Sequence, residues 1–257
     1  MSARSAAPAV ARVVKAKRLV LFDIDGTLLS AGPSARTAFQ SALVDVFGTS
    51  GDIDGYAFEG RLDPHIVMEL MQAAGVPDET IALRRGDAMA LYLDRLEDGL
   101  RARPPVLKPG VLQLLDALEK VPGLVPALLT GNVERGARVK LSAAGLWHRF
   151  AFGVWGDDAS CREALGPVAL ERVRPATGLA FTGSECVVVG DSRYDIACGL
   201  AIGARAIAVA TGRTALPALE AAGAHVVLAD LSDTDRALEA ILGCDGRLHA
   251  FARPEPH

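Results

Sequence analysis

The stretch VLFDIDGTLLS, residues 20–30, closes an apolar run with Asp23 and Asp25, one isoleucine between them, and follows at once with Gly26 and Thr27. A short apolar run rich in β-branched residues reads as a buried strand, and Asp, Gly and Thr after it read as the turn that leaves it. A buried strand therefore ends by setting two like charges where each feels the other. Outward from this stretch the same kind of run recurs. RLVLFD (18–23), LVPALLT (124–130), FAFGVW (150–155), ECVVVGD (185–191) and ARAIAVA (204–210) read as strands, with HVVLA (225–229) as one more at an edge. Between them PGVLQLLDALEK, NVERGARVKLSAAG, LGPVALERV and YDIACGLAIG space apolar residues three and four apart, as amphipathic helices do. Gly145 follows one of these helices, where a left-handed cap favours glycine.

Strands alternating with helices predict an α/β fold, a Rossmann-like, doubly wound parallel sheet covered on both faces. Residues 31–105 break the alternation. ARTAFQSALVDVFG, DPHIVMELMQAAG and DETIALRRGDAMALYLDRLEDGL are helical in pattern, with proline and glycine at both ends of the region. A strand-to-helix connection usually takes about 2–6 residues, so a segment of this length predicts an inserted all-helical cap. The expected organisation is a tail at 1–17, an α/β core formed by 18–30 and 106–243, a cap at 31–105 and an extension at 244–257.

The chain has 257 residues, 50% of them hydrophobic, and a formal net charge of −4. That balance gives no basic field for nucleic acid. Cys161, Cys186, Cys198 and Cys244 lack CxxC spacing and read as reduced thiols. The opening MSARSAAPAVARVVKAKR is basic without a continuous apolar segment, so a solvated tail is expected there in place of a secretory signal. No run approaches the roughly 20 apolar residues of a membrane span. The expectation is a soluble, cytoplasmic protein with neither nucleic-acid nor membrane partners.

Acids recur at the predicted strand ends. Asp23 and Asp25 follow the first strand, Asp191 ends another with Asp195 one helical turn on, and Thr130, Gly131 and Asn132 close LVPALLT beside a helix start. Ligands of open α/β sheets bind at the carboxyl ends of the strands. Carboxylates clustered there raise one another's pKa, and a hard divalent cation relieves the repulsion. Oxygen ligands with few nitrogens or thiols favour Mg²⁺. Asp195 also reads as a helix-start acid, and Thr130 as a helix cap.

DIDGTLL, LLTGN and VVVGDSRYD, in that order, resemble the motifs of the haloacid dehalogenase superfamily and of its phosphatase branch, over residues 19–242. FEGRLDPHIV resembles the specificity loop of phosphoglycolate-phosphatase-like members. Gly60, Arg61 and Asp63 match that loop, while Leu62 stands where a threonine is common. The resemblance implies that Asp23 is a nucleophile forming an aspartyl-phosphate and that Asp25 is the acid and then the base. It implies Mg²⁺ on Asp23, the Asp25 main-chain carbonyl and Asp191, with Asp195 behind them. Phosphate contacts fall to Thr130, Gly131, Asn132 and a basic residue, for which Arg162 in REALGPVAL is chosen over Arg172 and Arg174. Thr27 is expected to orient Asp25. Arg61 reads equally as a contact for an anionic substrate tail and as a partner of Asp63.

The expected function is Mg²⁺-dependent hydrolysis of a small phosphate monoester. The alternatives are a phosphomutase of the same superfamily and a non-catalytic protein that binds a phosphorylated ligand. A phosphonate-cleaving member needs a cap lysine for a Schiff base, and residues 31–105 contain none.

Overall fold

The structure, a computed structural model, describes residues 17–243. The expected tail, except Lys17, and the expected extension with Cys244 lie outside these residues. Strand β1 (Arg18–Phe22) is followed by β2 (Leu29–Ser30) and by three helices, α1 (Gly32–Phe47), α2 (Asp63–Ala73) and α3 (Asp78–Ala102). β3 (Val106–Leu107) brings the chain back to α4 (Val111–Glu119), β4 (Leu124–Leu129), α5 (Glu134–Ala143), β5 (Gly153–Val154) and α6 (Leu165–Thr177). Then come β6 (Cys186–Gly190), α7 (Arg193–Ala201), β7 (Arg205–Val209), α8 (Leu216–Ala221), β8 (Val226–Leu228) and α9 (Thr234–Leu242).

The main sheet has six parallel strands in the order β5-β4-β1-β6-β7-β8. Its centre is β1, and the period-two alternation of β1 serves both faces. Val20 and Phe22 pack with Leu114, Leu115 and Leu118 of α4, while Leu19 and Leu21 pack with Leu165, Ala169 and Val173 of α6. Burying side chains of this size stabilises by about 1.5–3 kcal/mol each, which is why the strand has no polar residue between Arg18 and Asp23. HVVLA forms the edge strand β8, as its position predicted. FAFGVW contracts to two strand residues because the Trp155 ring folds back over Gly153, where a Cβ would strike the indole.

Helices α1 to α3 have their own core. Phe39, Ala42, Leu43 and Val46 of α1 meet Ile66 and Leu70 of α2, and Tyr92, Leu93 and Leu96 of α3. The chain leaves and rejoins the sheet through a two-stranded antiparallel ribbon, Leu29 opposite Leu107 and Ser30 opposite Val106. The sequence did not show that ribbon, because two residues on each side carry no periodicity. Among the described residues, no helix is long and apolar enough to cross a membrane.

Candidate active site

The register of the central strands decides what meets at their ends. Phe22 pairs with Leu128 on one side and Val189 on the other, so β1, β4 and β6 leave the sheet at one level. Asp23, Thr130 and Asp191 lie just beyond that level. Asp23 and Asp191 are buried, 8% and 3% exposed. Burial raises both carboxyls above the usual carboxylate range, repulsion from Asp195 raises both further, and Asp23 adds to the rise of Asp191.

Arg162 opposes this repulsion. Its Nη2 donates to Asp23 Oδ1 at 2.9 Å and also to Asp195 Oδ1. Burial alone would lower the pKa of Arg162, but Asp195 and Asp23 hold it above its ordinary value. The Nε of Arg162 is buried without a hydrogen-bond partner among the described residues. Arg172 instead pairs with Asp158 at 2.7 Å, and neither it nor Arg174 borders the cavity at the strand ends. Asp195 is committed on both oxygens, since its Oδ2 accepts from the Ser192 N–H and hydroxyl in the capping box that opens α7. It is thus both a helix-start acid and a support for Arg162.

Thr27 does not orient Asp25. Its buried hydroxyl donates to Asp191 Oδ1 at 2.9 Å. The cause is Gly26, whose φ of +93° swings the chain aside, and whose missing Cβ lets the backbone pass against the Asp191 carboxylate.

Asp25 is held from the other side. Its Oδ2 accepts from Asn132 Nδ2 at 2.8 Å and from Lys140 Nζ at 2.5 Å. Asn132 Oδ1 accepts a second Lys140 hydrogen bond at 2.5 Å, and the Thr130 hydroxyl oxygen accepts from the Asn132 N–H and Nδ2. That bonding fixes the amide's orientation. Thr130 does not cap α5, whose N-cap is Val133 without a side-chain bond.

Lys140 is the residue that sequence reasoning missed. It is 4% exposed, and although burial alone would lower its pKa, Asp25, Tyr92 and Asp63 hold the ammonium above its usual value. One signal was available: Lys140 shares the buried stripe of α5 with Gly136, Ala137 and Leu141. A cation on an apolar stripe stays there only if it is paired.

The cap meets the core on the loop after β4. The Asp63 N–H donates to the Gly131 carbonyl at 2.8 Å, and the Val133 N–H donates to Asp63 Oδ2 at 3.2 Å. A Cβ on Gly131 would strike the Arg61 carbonyl. Burial pushes the Asp63 carboxyl up to about 6; Lys140 and the Val133 N–H oppose the shift, while Asp25 and Asp157 add to it. Arg61 does not pair with Asp63. It donates to Glu69 at 3.2 Å and lies over the Tyr194 ring at 5.6 Å, because Glu69 is one α2 turn and more beyond Asp63 on the side Arg61 faces. Gly60, at φ +67°, sits so close to Tyr194 and Ser192 that no side chain fits.

These groups surround a cavity of about 580 Å³ between the strand ends and the helices. Single carboxylate oxygens of Asp23, Asp191 and Asp195 all lie within 4.8 Å of one another. Both Asp195 oxygens are engaged by Arg162 and Ser192, and Asp23 and Asp191 are the acids beside the cavity whose repulsion a cation would relieve. A Cβ at Gly26 or Gly212 would invade the Asp191 carboxylate, so the backbone there leaves that group clear. An all-oxygen donor set of this kind fits Mg²⁺.

Comparison with known proteins points the same way. A sequence model of the haloacid dehalogenase-like hydrolases matches residues 20–199. A probable phosphatase, IndB, of Dickeya dadantii (strain 3937) is 29% identical over 88% of this chain and 95% of its own. A phosphoglycolate phosphatase of Pseudomonas syringae pv. tomato is 29% identical over 77% of this chain and 71% of its own. The crystal structure of a hydrolase from Pseudomonas syringae superposes with a TM-score of 0.65 at 23% identity, covering 88% of this chain and 99% of that one.

Proposed function

This chain belongs to the haloacid dehalogenase-like hydrolase family, and from that premise we propose that it hydrolyses monophosphate esters of small molecules with Mg²⁺ as its cofactor. The observation that carries the reading is the contrast between two aspartates a single residue apart. Asp23 is buried between the Arg162 guanidinium and the Asp191 carboxylate. Asp25 has Oδ2 pinned by Lys140 and Asn132, no bond on Oδ1 among the described residues, and a side chain 42% exposed beside the cavity.

In this reading an Asp23 oxygen attacks phosphorus, and the ester's P–O bond breaks as the P–O bond to Asp23 forms. The leaving alkoxide takes its proton from Asp25 Oδ1. The same oxygen then accepts a proton from the water that attacks phosphorus, releasing inorganic phosphate and restoring Asp23. Arg162 holds Asp23 in line and sets a guanidinium charge beside the place of the phosphoryl group. Bound to Asp23, Asp191 and the Asp25 main-chain carbonyl, Mg²⁺ would offset the charge that otherwise sets a carboxylate against a phosphate dianion. Thr130 and Asn132 keep the loop after β4 in place for phosphate contacts, while Gly131 lets the Arg61 carbonyl of the cap approach it.

Release of inorganic phosphate from 4-nitrophenyl phosphate, with Mg²⁺ and with a chelator, tests the reading. Turnover that needs the metal and vanishes in Asp23→Asn supports it. Equal turnover in the chelator overturns the metal assignment, and an unaffected Asp23→Asn protein overturns the nucleophile.

A further inference from the structure

The cavity has a charged floor, but its cap side is a wall of rings. Phe39, Phe58, Ile66 and Tyr92 border it. The Phe39 centroid lies 4.8 Å from Tyr92 and 6.1 Å from Phe58, both edge to face. The cationic groups around this wall already have partners. Arg36 pairs with Asp54 at 3.0 Å, Arg61 with Glu69 at 3.2 Å and Arg213 with Glu59 at 3.3 Å. On the core side, Lys108 is held by the Thr211 carbonyl at 2.6 Å. Among the described residues, each guanidinium that borders the cavity thus already has a carboxylate partner.

Tyr92 gives a second, independent sign. The residue is 4% exposed and borders the cavity, and its hydroxyl makes no hydrogen bond among the described residues, which leaves it open to the cavity. A hydroxyl that faces a cavity without a protein partner is free to bond what the cavity holds. Burial keeps the phenol well above its ordinary pKa, so it stays protonated and can donate.

We propose that this wall is a leaving-group subsite for an uncharged planar ring, aromatic or heteroaromatic, whose acceptor atom takes the Tyr92 hydroxyl. The preferred esters are then phosphates of ring-bearing alcohols, and short carboxylated esters are poor substrates. The substrate assignment rests on the phosphatase reading, whereas the subsite itself does not. A cavity of about 580 Å³ has room for such a ring beside the phosphate.

The test separates the two. Benzylphosphonate and ethylphosphonate cannot be hydrolysed, so calorimetric titration of the full chain with each in Mg²⁺ reads the wall without turnover. The benzyl compound is expected to bind about tenfold more tightly. Phe58→Ala should bring the ratio below about threefold, and Phe58→Leu, which keeps apolar bulk, should retain part of it. Among substrates, uridine 5′-monophosphate and benzyl phosphate should exceed ethyl phosphate and 2-phosphoglycolate by about tenfold in kcat/KM. Tyr92→Phe should lower the uridine ester about fivefold more than it lowers benzyl phosphate, a split that general loosening of the cap would not produce. Equal affinity for the two phosphonates overturns the subsite, as does an affinity ratio unmoved in both Phe58 variants. If no ester is hydrolysed, 4-nitrophenyl phosphate included, the phosphatase reading fails while the phosphonate pair still decides the subsite.

Discussion

The two walls of the cavity are built on opposite terms. At the strand ends, charges from distant parts of the chain answer one another: Arg162 bridges Asp23 and Asp195, Thr27 reaches Asp191, and Lys140 reaches Asp25. On the helical side, rings pack edge to face and arginines are matched within the cap or at its rim. The first wall depends on each partner being present, because removing one exposes a buried charge. The second depends on summed apolar area, so it tolerates exchange and can set preference without doing chemistry. Damage to the first should remove the reaction, and damage to the second should alter stability or selectivity.

The largest expected effect follows from Asp23→Asn. Loss of the attacking oxygen anion should reduce phosphate release by about 10⁴-fold or more. Thermal unfolding should change little, because a buried carboxyl repelled by Asp195 and Asp25 is gone while Arg162 keeps Asp195. A variant that is inactive only because it has unfolded would break the contrast between the walls. Next in size is Leu96→Ala on α3, a fully buried side chain in the cap core. It should cost about 2–5 kcal/mol in denaturant unfolding. Hydrolysis of 4-nitrophenyl phosphate well below the melting temperature should persist, and its disappearance there would tie the chemistry to the cap.

Lys140→Met comes third. With the ammonium gone, Asp25 keeps only Asn132, and proton delivery to the leaving oxygen should suffer. The expected loss is about 10–100-fold in kcat for alkyl phosphates, and much less for 4-nitrophenyl phosphate, whose leaving group needs no proton. A uniform loss across leaving groups would reduce Lys140 to a packing role.

How much of this was visible in the sequence differs between the walls. The strands that carry the floor are short β-branched runs, and each ends in the residue that matters, so Asp23, Asp25, Thr130 and Asp191 could be placed before the fold was known. The partners could not. Thr27 stands two residues from Asp25 yet bonds Asp191, because the turn at Gly26 reverses what nearness in sequence implies. Lys140 lies eight residues after Asn132 on a helix, where a lysine ordinarily reads as solvated. The cap's helical nature was plain from its periodicity, but which faces of α1 and α3 look into the cavity depends on how three helices pack. The place of Phe39 and Tyr92 at the cavity therefore carries no signal in the sequence.

The smallest effect concerns the seam between the walls. Asp63 bonds the loop after β4 through its backbone and side chain, and its carboxyl titrates at about 6 in the folded protein. An unfolded chain has the same group near 3.9, so between those values the folded state holds the extra proton. Stability then falls as pH rises from about 4 to about 6 and levels off above, the reverse of an aspartate held by a salt bridge. Asp63→Asn removes this titration, while its amide oxygen can still accept from the Val133 N–H. At pH 7 the variant should be more stable by about 1–2 kcal/mol, which is less than the full linkage because the new NH₂ group faces the Lys140 ammonium. Near pH 4 the two proteins should converge. Denaturant unfolding across this range decides it: parallel curves would mean that Asp63 ionises freely, and that the seam lies open to water where the structure has it buried.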